Sequence, residues 1–170
     1  MTQPAVSPVP HHPRLTAYTE VFDRIDALLD GETDWIAAMA TVACELHHTF
    51  DYFDWTGFYR AVSDDLLVVG PYQGGHGCLR IPFERGVCGA AARTQRTQFV
   101  PDVTEAEDHI ACSSTTQSEV VVPVCTPDGT LLAVLDVDSD TLDAFSEVDR
   151  EMLEQLAERL GTQFADTAQR

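Results

Sequence analysis

Two valine-rich runs place the strongest constraint on what this chain can fold into. Residues 119–125 and 131–137 are short, apolar and rich in β-branched side chains, and Pro127-Asp128-Gly129 lies between them. Pro, Asp and Gly in that order make a turn, so the two runs predict a β-hairpin. A hairpin this apolar is marginal alone and needs covering layers. The ends of the chain supply them. Residues 14–30 place Leu15, Tyr18, Phe22, Ile25 and Leu29 at helical spacing, and Gly31 ends the stretch. Thr33 is placed to cap a second helix carrying Trp35, Met39, Val42 and Leu46 on one stripe. Ser146 and Asp149 form a capping-box pattern before a last helix with Val148, Met152, Leu156 and Leu160 inward. Between these, residues 55–61 and 66–72 read as strands flanking Ser63-Asp64-Asp65, residues 74–77 as a glycine-rich loop, and residues 88–93 as a short helix. Residues 101–118 are polar, aperiodic and long for a plain connection, the mark of a functional loop. The fold class predicted is α+β: a single domain over residues 14–168, with a central antiparallel sheet and the N- and C-terminal helices on one face.

Charge excludes several chemistries. Ten basic against 28 acidic residues give a net charge of −18, and every basic residue is Arg. Without lysine there is no Schiff base and no P-loop phosphate clamp. So negative a chain repels nucleic acid and anionic lipid. No apolar run approaches the roughly 18 residues of a membrane span. Residues 1–13 hold four of the nine prolines and none of the basic and apolar zones of a secretory signal, which predicts a disordered leader and a cytoplasmic protein. In that compartment the five cysteines are expected to rest as thiols.

Those cysteines divide by setting. Cys44 and Cys125 fall in a helix stripe and a strand and read as small buried hydrophobes. Cys78, Cys88 and Cys112 fall in loop or loop-edge positions where a thiol can be reached. Cys88 stands at a predicted helix start, where the helix dipole lowers a thiol pKa, and Cys112 follows His109 by three residues, where an imidazolium could stabilise a thiolate. Their spacing is far wider than zinc motifs use, so no metal is expected. His11, His12 and His48 read as solvated, and His47 as partly packed.

Asp136 and Asp138 end the second valine-rich run with Val137 between them, so a strand's period of two points both to one face. Glu119, at the start of the partner strand, could join them. Carboxylates so gathered repel, and one pKa should rise. A strand end running out to solvent is the competing reading. Trp55 and Tyr59 are four apart in a strand and share a face, as sheet core or as the wall of a site.

Taken together, these residues resemble the free methionine-(R)-sulfoxide reductases, which are stand-alone GAF domains. The likeness rests on Asp54-Trp55-Thr56-Gly57-Phe58-Tyr59, Gly70-Pro71-Tyr72-Gln73-Gly74, Cys78-Leu79-Arg80-Ile81-Pro82 and Gly86-Val87-Cys88-Gly89. It continues through Asp108-His109-Ile110-Ala111-Cys112, Ser118-Glu119 and Val134-Leu135-Asp136-Val137-Asp138-Ser139. The family's Gly-Lys before its first cysteine is replaced here by Gly74-Gly75-His76-Gly77, which implies a more mobile loop. The resemblance implies reduction of free L-methionine (R)-sulfoxide, with Cys112 attacking the sulfoxide sulfur. Cys78 would resolve the resulting sulfenic acid, with Cys88 the alternative or a relay. Thioredoxin, fed ultimately by NADPH, would reduce the disulfide, and no cofactor would be bound. Glu119, Asp136 and Asp138 would hold the substrate ammonium and a proton, Trp55 and Tyr59 would wall its methyl-sulfoxide group, and backbone N–H groups of residues 113–118 would meet its carboxylate. Family members form dimers, so a homodimer is implied. The alternative is a GAF module that senses a small molecule or redox state without catalysis.

Overall fold

The structure is a computed structural model and describes residues 13–105 and 114–168. The predicted leader therefore lies outside the described residues, apart from Pro13. That proline is the first residue of helix α1 (Pro13–Leu28), the helical position where a missing N–H costs nothing. Gly31 follows with φ +75°, a conformation glycine adopts without strain. Helix α2 (Trp35–Thr49) is capped by Asp34, whose side chain accepts from Ala37 N at 2.9 Å, and not by Thr33. Both residue types can cap. Here the Thr33 N–H turns back to Glu32 Oε1 at 2.7 Å, which places Thr33 one residue too early.

Strands β1 (Trp55–Ser63) and β2 (Leu66–Gln73) form the first hairpin. A three-residue strand β3 (Arg80–Pro82), helix α3 (Gly86–Thr94) and a second three-residue strand β4 (Gln98–Val100) follow. Then come β5 (Ser118–Cys125), β6 (Leu131–Ser139) and helix α4 (Glu147–Gln163). The six strands run β3-β2-β1-β6-β5-β4, every pair antiparallel. β1 and β6 are the two central strands, though residues 64–130 separate them in sequence. β3 and β4 are edge strands too short to show a period, which is why sequence pattern passes over them.

The sheet has two different faces. On one, α1, α2 and α4 cover Phe58, Val120, Val122, Val124, Leu135 and Val137, making the main core. On the other, α3 lies over Trp55, Tyr59, Val121 and Val134 in a smaller cluster. The helices at the chain's ends share a face as predicted, and the short third helix takes the opposite one. Among the described residues, no helix is long and apolar enough to cross a membrane.

Two contacts fasten the helical face. Asp149, fully buried, accepts from Tyr52 Oη at 2.6 Å, Tyr18 Oη at 3.0 Å and the Ser146 N–H at 2.7 Å, and pairs with Arg14. The expected capping box is thus present, and it also joins α1 and the Tyr52 segment to α4. Burial raises the Asp149 carboxyl, but these bonds outweigh it and hold the group below its ordinary value. Gly161 is the second contact. A Cβ there would collide with the Cys125 carbonyl oxygen and stand 2.8 Å from its carbon, so α4 touches the β5 backbone directly. Gly161→Ala should destabilise the chain by about 3 kcal/mol despite alanine's better helix propensity, read as a lowered urea midpoint with unchanged slope.

Candidate active site

The sheet register assembles the acids. Glu119 on β5 stands directly opposite Asp138 on β6, and Trp55 on β1 flanks Asp138 from the other side. Asp136, two residues back on the same face, lies between Val121 and Gly57. The strand does not run out to solvent here, because β6 is an inner strand. Asp136 is 4% exposed and Glu119 6%. Glu119 and Asp136 are therefore not solvated strand-end acids, while Asp138 is half-buried.

Burial decides their protonation. It raises Asp136 to about 7. It also raises Glu119 well above its ordinary value, with added repulsion from Asp136 and Asp138. Asp138 rises for the same two reasons, burial first and then the Asp136, Asp140 and Asp54 charges. Three carboxyl groups held this way compete for protons, Asp136 near neutrality, and titrate as one set.

Cys88 meets them from α3. Its thiol donates to Asp136 Oδ2 at 3.3 Å, and the Cys88, Glu119 and Asp136 donor atoms all lie within 4.8 Å of one another. Gly86 at φ +69° and the absence of a side chain at Gly89 allow this approach. A Cβ at Gly89 would stand 2.7 Å from the Pro82 carbonyl oxygen. The expected lowering of the Cys88 pKa is reversed. Burial raises it, and the Asp136 and Glu119 charges raise it further, outweighing the helix N-terminus. Among the described residues this trio could hold a metal ion, but the same oxygens suit an ammonium group equally. Among the described residues Asp136 Oδ1 is buried without a hydrogen-bond donor, leaving it an acceptor open to a ligand.

Trp55 and Tyr59 do share the acid-lined face, and their rings stack at 5.6 Å with 19° between planes. They also carry the glycine-rich loop. Trp55 Nε1 donates to the Gly75 carbonyl at 3.2 Å, and the Cys78 backbone N–H donates to the Tyr59 hydroxyl. A Cβ on Gly77 would come within 2.8 Å of that hydroxyl. The loop expected to be mobile is thus seated on both rings. Burial, then Asp136 and Cys88, raises the Tyr59 phenol, so it stays protonated.

Two participants escaped sequence reading. Gly57 sits between Trp55 and Tyr59 on the same face, and a Cβ there would lie 2.7 Å from the Trp55 ring. Tyr72, opposite Gly57, stacks on Trp55 at 5.3 Å. The period of two through Trp55, Gly57 and Tyr59 was the available signal for the first. Only the β1–β2 register reveals the second.

Cys78 is disulfide-bonded, whereas Cys44, Cys88 and Cys125 are free thiols. The expectation that all five rest as thiols is corrected: proximity across a fold, not composition, decides whether a bond can close. Cys125, expected to be buried, is half-buried, and burial raises its thiol. Cys44 is half-buried, its sulfur 3.7 Å from His48 Nδ1. His47 is lowered by burial and by His48, in keeping with partial packing. Cys112, His109 and Ser113 lie outside the described residues. Of the N–H groups assigned to the substrate carboxylate, that of Gln117 is already given to the Ser139 carbonyl at 2.8 Å.

The chain is similar to known proteins of one family. Residues 34–164 match the GAF domain family. A free methionine-R-sulfoxide reductase of Saccharomyces cerevisiae is 40% identical over 138 residues, covering 78% of this chain and 77% of the relative. One from Escherichia coli is 37% identical over 150 residues, covering 88% and 90%. The X-ray structure of the Neisseria meningitidis free methionine-R-sulfoxide reductase in complex with its substrate superposes with a TM-score of 0.85 at 43% identity, covering 94% of this chain and 93% of that one.

Proposed function

The chain belongs to the free methionine-R-sulfoxide reductases of the GAF domain family, and on that premise we propose that it reduces free L-methionine (R)-sulfoxide to L-methionine. The observation that carries the reading is the buried pair Glu119 and Asp136 with half-buried Asp138, beside Trp55, Tyr59 and Cys88. A sulfoxide oxygen leaves sulfur only once protonated, and a set that competes for protons, Asp136 near neutrality, holds a donor ready. The remaining negative charge and the unfilled Asp136 oxygen receive the α-ammonium, which a peptide-bound residue lacks.

The chemistry divides among the thiols. Cys112 thiolate attacks the sulfoxide sulfur while a carboxyl protonates the oxygen. The oxygen passes to Cys112 as a sulfenic acid, and methionine leaves. Cys78 attacks the sulfenic sulfur, water departs, and a disulfide forms. The bonded state of Cys78 supports this assignment. Cys88 is the weaker candidate for resolution, because its raised pKa leaves little of the thiolate that exchange requires. A dithiol protein of the thioredoxin type reduces the disulfide in the cytoplasm, with electrons from NADPH. The methyl group packs between Trp55 and Tyr59, and a homodimer is the assembly in keeping with the family.

The test incubates the protein with free methionine sulfoxide, thioredoxin, its reductase and NADPH. NADPH oxidation with the (R) epimer and none with the (S) epimer is expected. Equal turnover of a peptide-bound sulfoxide would overturn the ammonium assignment, and no turnover of either epimer would return the chain to a sensing role.

A further inference from the structure

A cavity of about 620 Å³ opens on the helical side of the sheet, away from the face that carries the acids. It lies where the first turn of α2 crosses β1, and Arg60, Thr167, Trp35, Ile36 and Val62 line it. Arg60 follows Tyr59 in β1, so its side chain leaves the opposite face of the sheet from the active site. Gly70 on β2 makes room for it: a Cβ there would stand 3.4 Å from Arg60 Cγ.

Two of the six buried side-chain polar atoms without a partner among the described residues belong to this one cavity, Arg60 Nε and Thr167 Oγ1. A buried donor left unpaired loses its hydration without compensation, so two in one place favour an acceptor there. Among the described residues Arg60 is also absent from the four ion pairs, which engage Arg14, Arg24, Arg150 and Arg159. In a chain of 28 acidic residues an arginine has no shortage of partners. Asp34 reaches the same cavity but spends its carboxylate on Ala37 N and forms no ion pair with Arg60. Apart from Thr33 the remaining wall is apolar, and two of its members face water: Ile36 is 47% exposed and Val62 49%. The volume falls within the range of small-molecule sites.

We propose that this cavity binds a small carboxylate with an apolar tail, its anionic head on Arg60 and Thr167 and its tail along Trp35, Ile36 and Val62. The site is independent of the reductase reading and does not use the acid cluster.

Hexanoate is a suitable probe, titrated calorimetrically into the full chain at pH 7.5. Saturable binding with a Kd of about 1 mM is expected from a ligand of that size. Arg60→Gln should weaken it at least about tenfold, the loss of one charge-assisted contact. Val62→Glu, at an exposed position that leaves folding undisturbed, should weaken it similarly by placing a negative charge at the mouth. Hexan-1-ol and acetate should each bind more weakly than hexanoate, since one lacks the charge and the other the tail. Absence of saturable heat, unchanged affinity in both variants, or acetate binding as tightly as hexanoate would overturn the proposal.

Discussion

In Cys112→Ser protein, steady-state reduction of the (R)-sulfoxide falls by roughly 10³-fold or more, because a hydroxyl at that position is neither ionised nor nucleophilic enough to attack sulfur. Cys78→Ser behaves differently. It releases about one methionine per chain and then stalls, since the sulfenic acid forms but no disulfide follows. Quenched-flow counting of methionine against chain concentration separates the two. The active-site geometry sharpens the second expectation. Cys88 stands at hydrogen-bond distance from Asp136 and is pushed toward the neutral thiol, so it should not replace Cys78. Continued turnover by Cys78→Ser at the wild-type rate would assign resolution to Cys88. A burst from Cys112→Ser would remove the nucleophile from the scheme altogether.

Asp136→Asn should stabilise the fold at alkaline pH while reducing kcat/KM about a hundredfold. A carboxyl whose folded pKa is raised contributes stability that is fully present below its unfolded value and is lost as pH rises through the folded one. For Asp136 the window runs from the ordinary 3.8 to about 7, and the loss is roughly 1.4 kcal/mol per pH unit across it. The amide removes that titration. Its melting temperature at pH 8 should exceed the wild type's by about 5 °C or more, and the two should converge near pH 4. The activity loss has a separate origin, the missing charge for the substrate ammonium, and should appear mostly in KM. A variant no more stable than wild type at pH 8 would mean that the acids are relieved by a counter-charge and are not mutually repelling.

Much of this arrangement was legible in the chain, and the reasons are specific. Periodicity alone puts Asp136 and Asp138 on one face, and the same rule aligns Trp55 with Tyr59. The turn at Pro127-Asp128-Gly129 brings Glu119 to their neighbourhood. What periodicity cannot supply is depth. Whether those acids sat at a frayed end or in an inner strand depended on β1 pairing with β6, a contact between distant segments. The direction of the Cys88 pKa failed for the same reason. The helix start was placed within two residues, but the dipole of a nine-residue helix is weaker than full burial beside two carboxylates. Thr33 and Asp34 could each cap α2, and the choice between neighbours lay in local hydrogen bonds that no pattern encodes.

Asp149 carries a consequence for how the molecule comes apart. Its carboxylate is the knot tying Arg14, Tyr18 and Tyr52 to the last helix, and it is held below its ordinary value. Its contribution is lost only as pH falls through that depressed value, whereas the acids across the sheet surrender theirs as pH rises. Protons therefore weigh on the two sides of the sheet in opposite senses. Strong acid unties the helical back first and leaves the catalytic front relaxed, while base strains the front and leaves the back knotted.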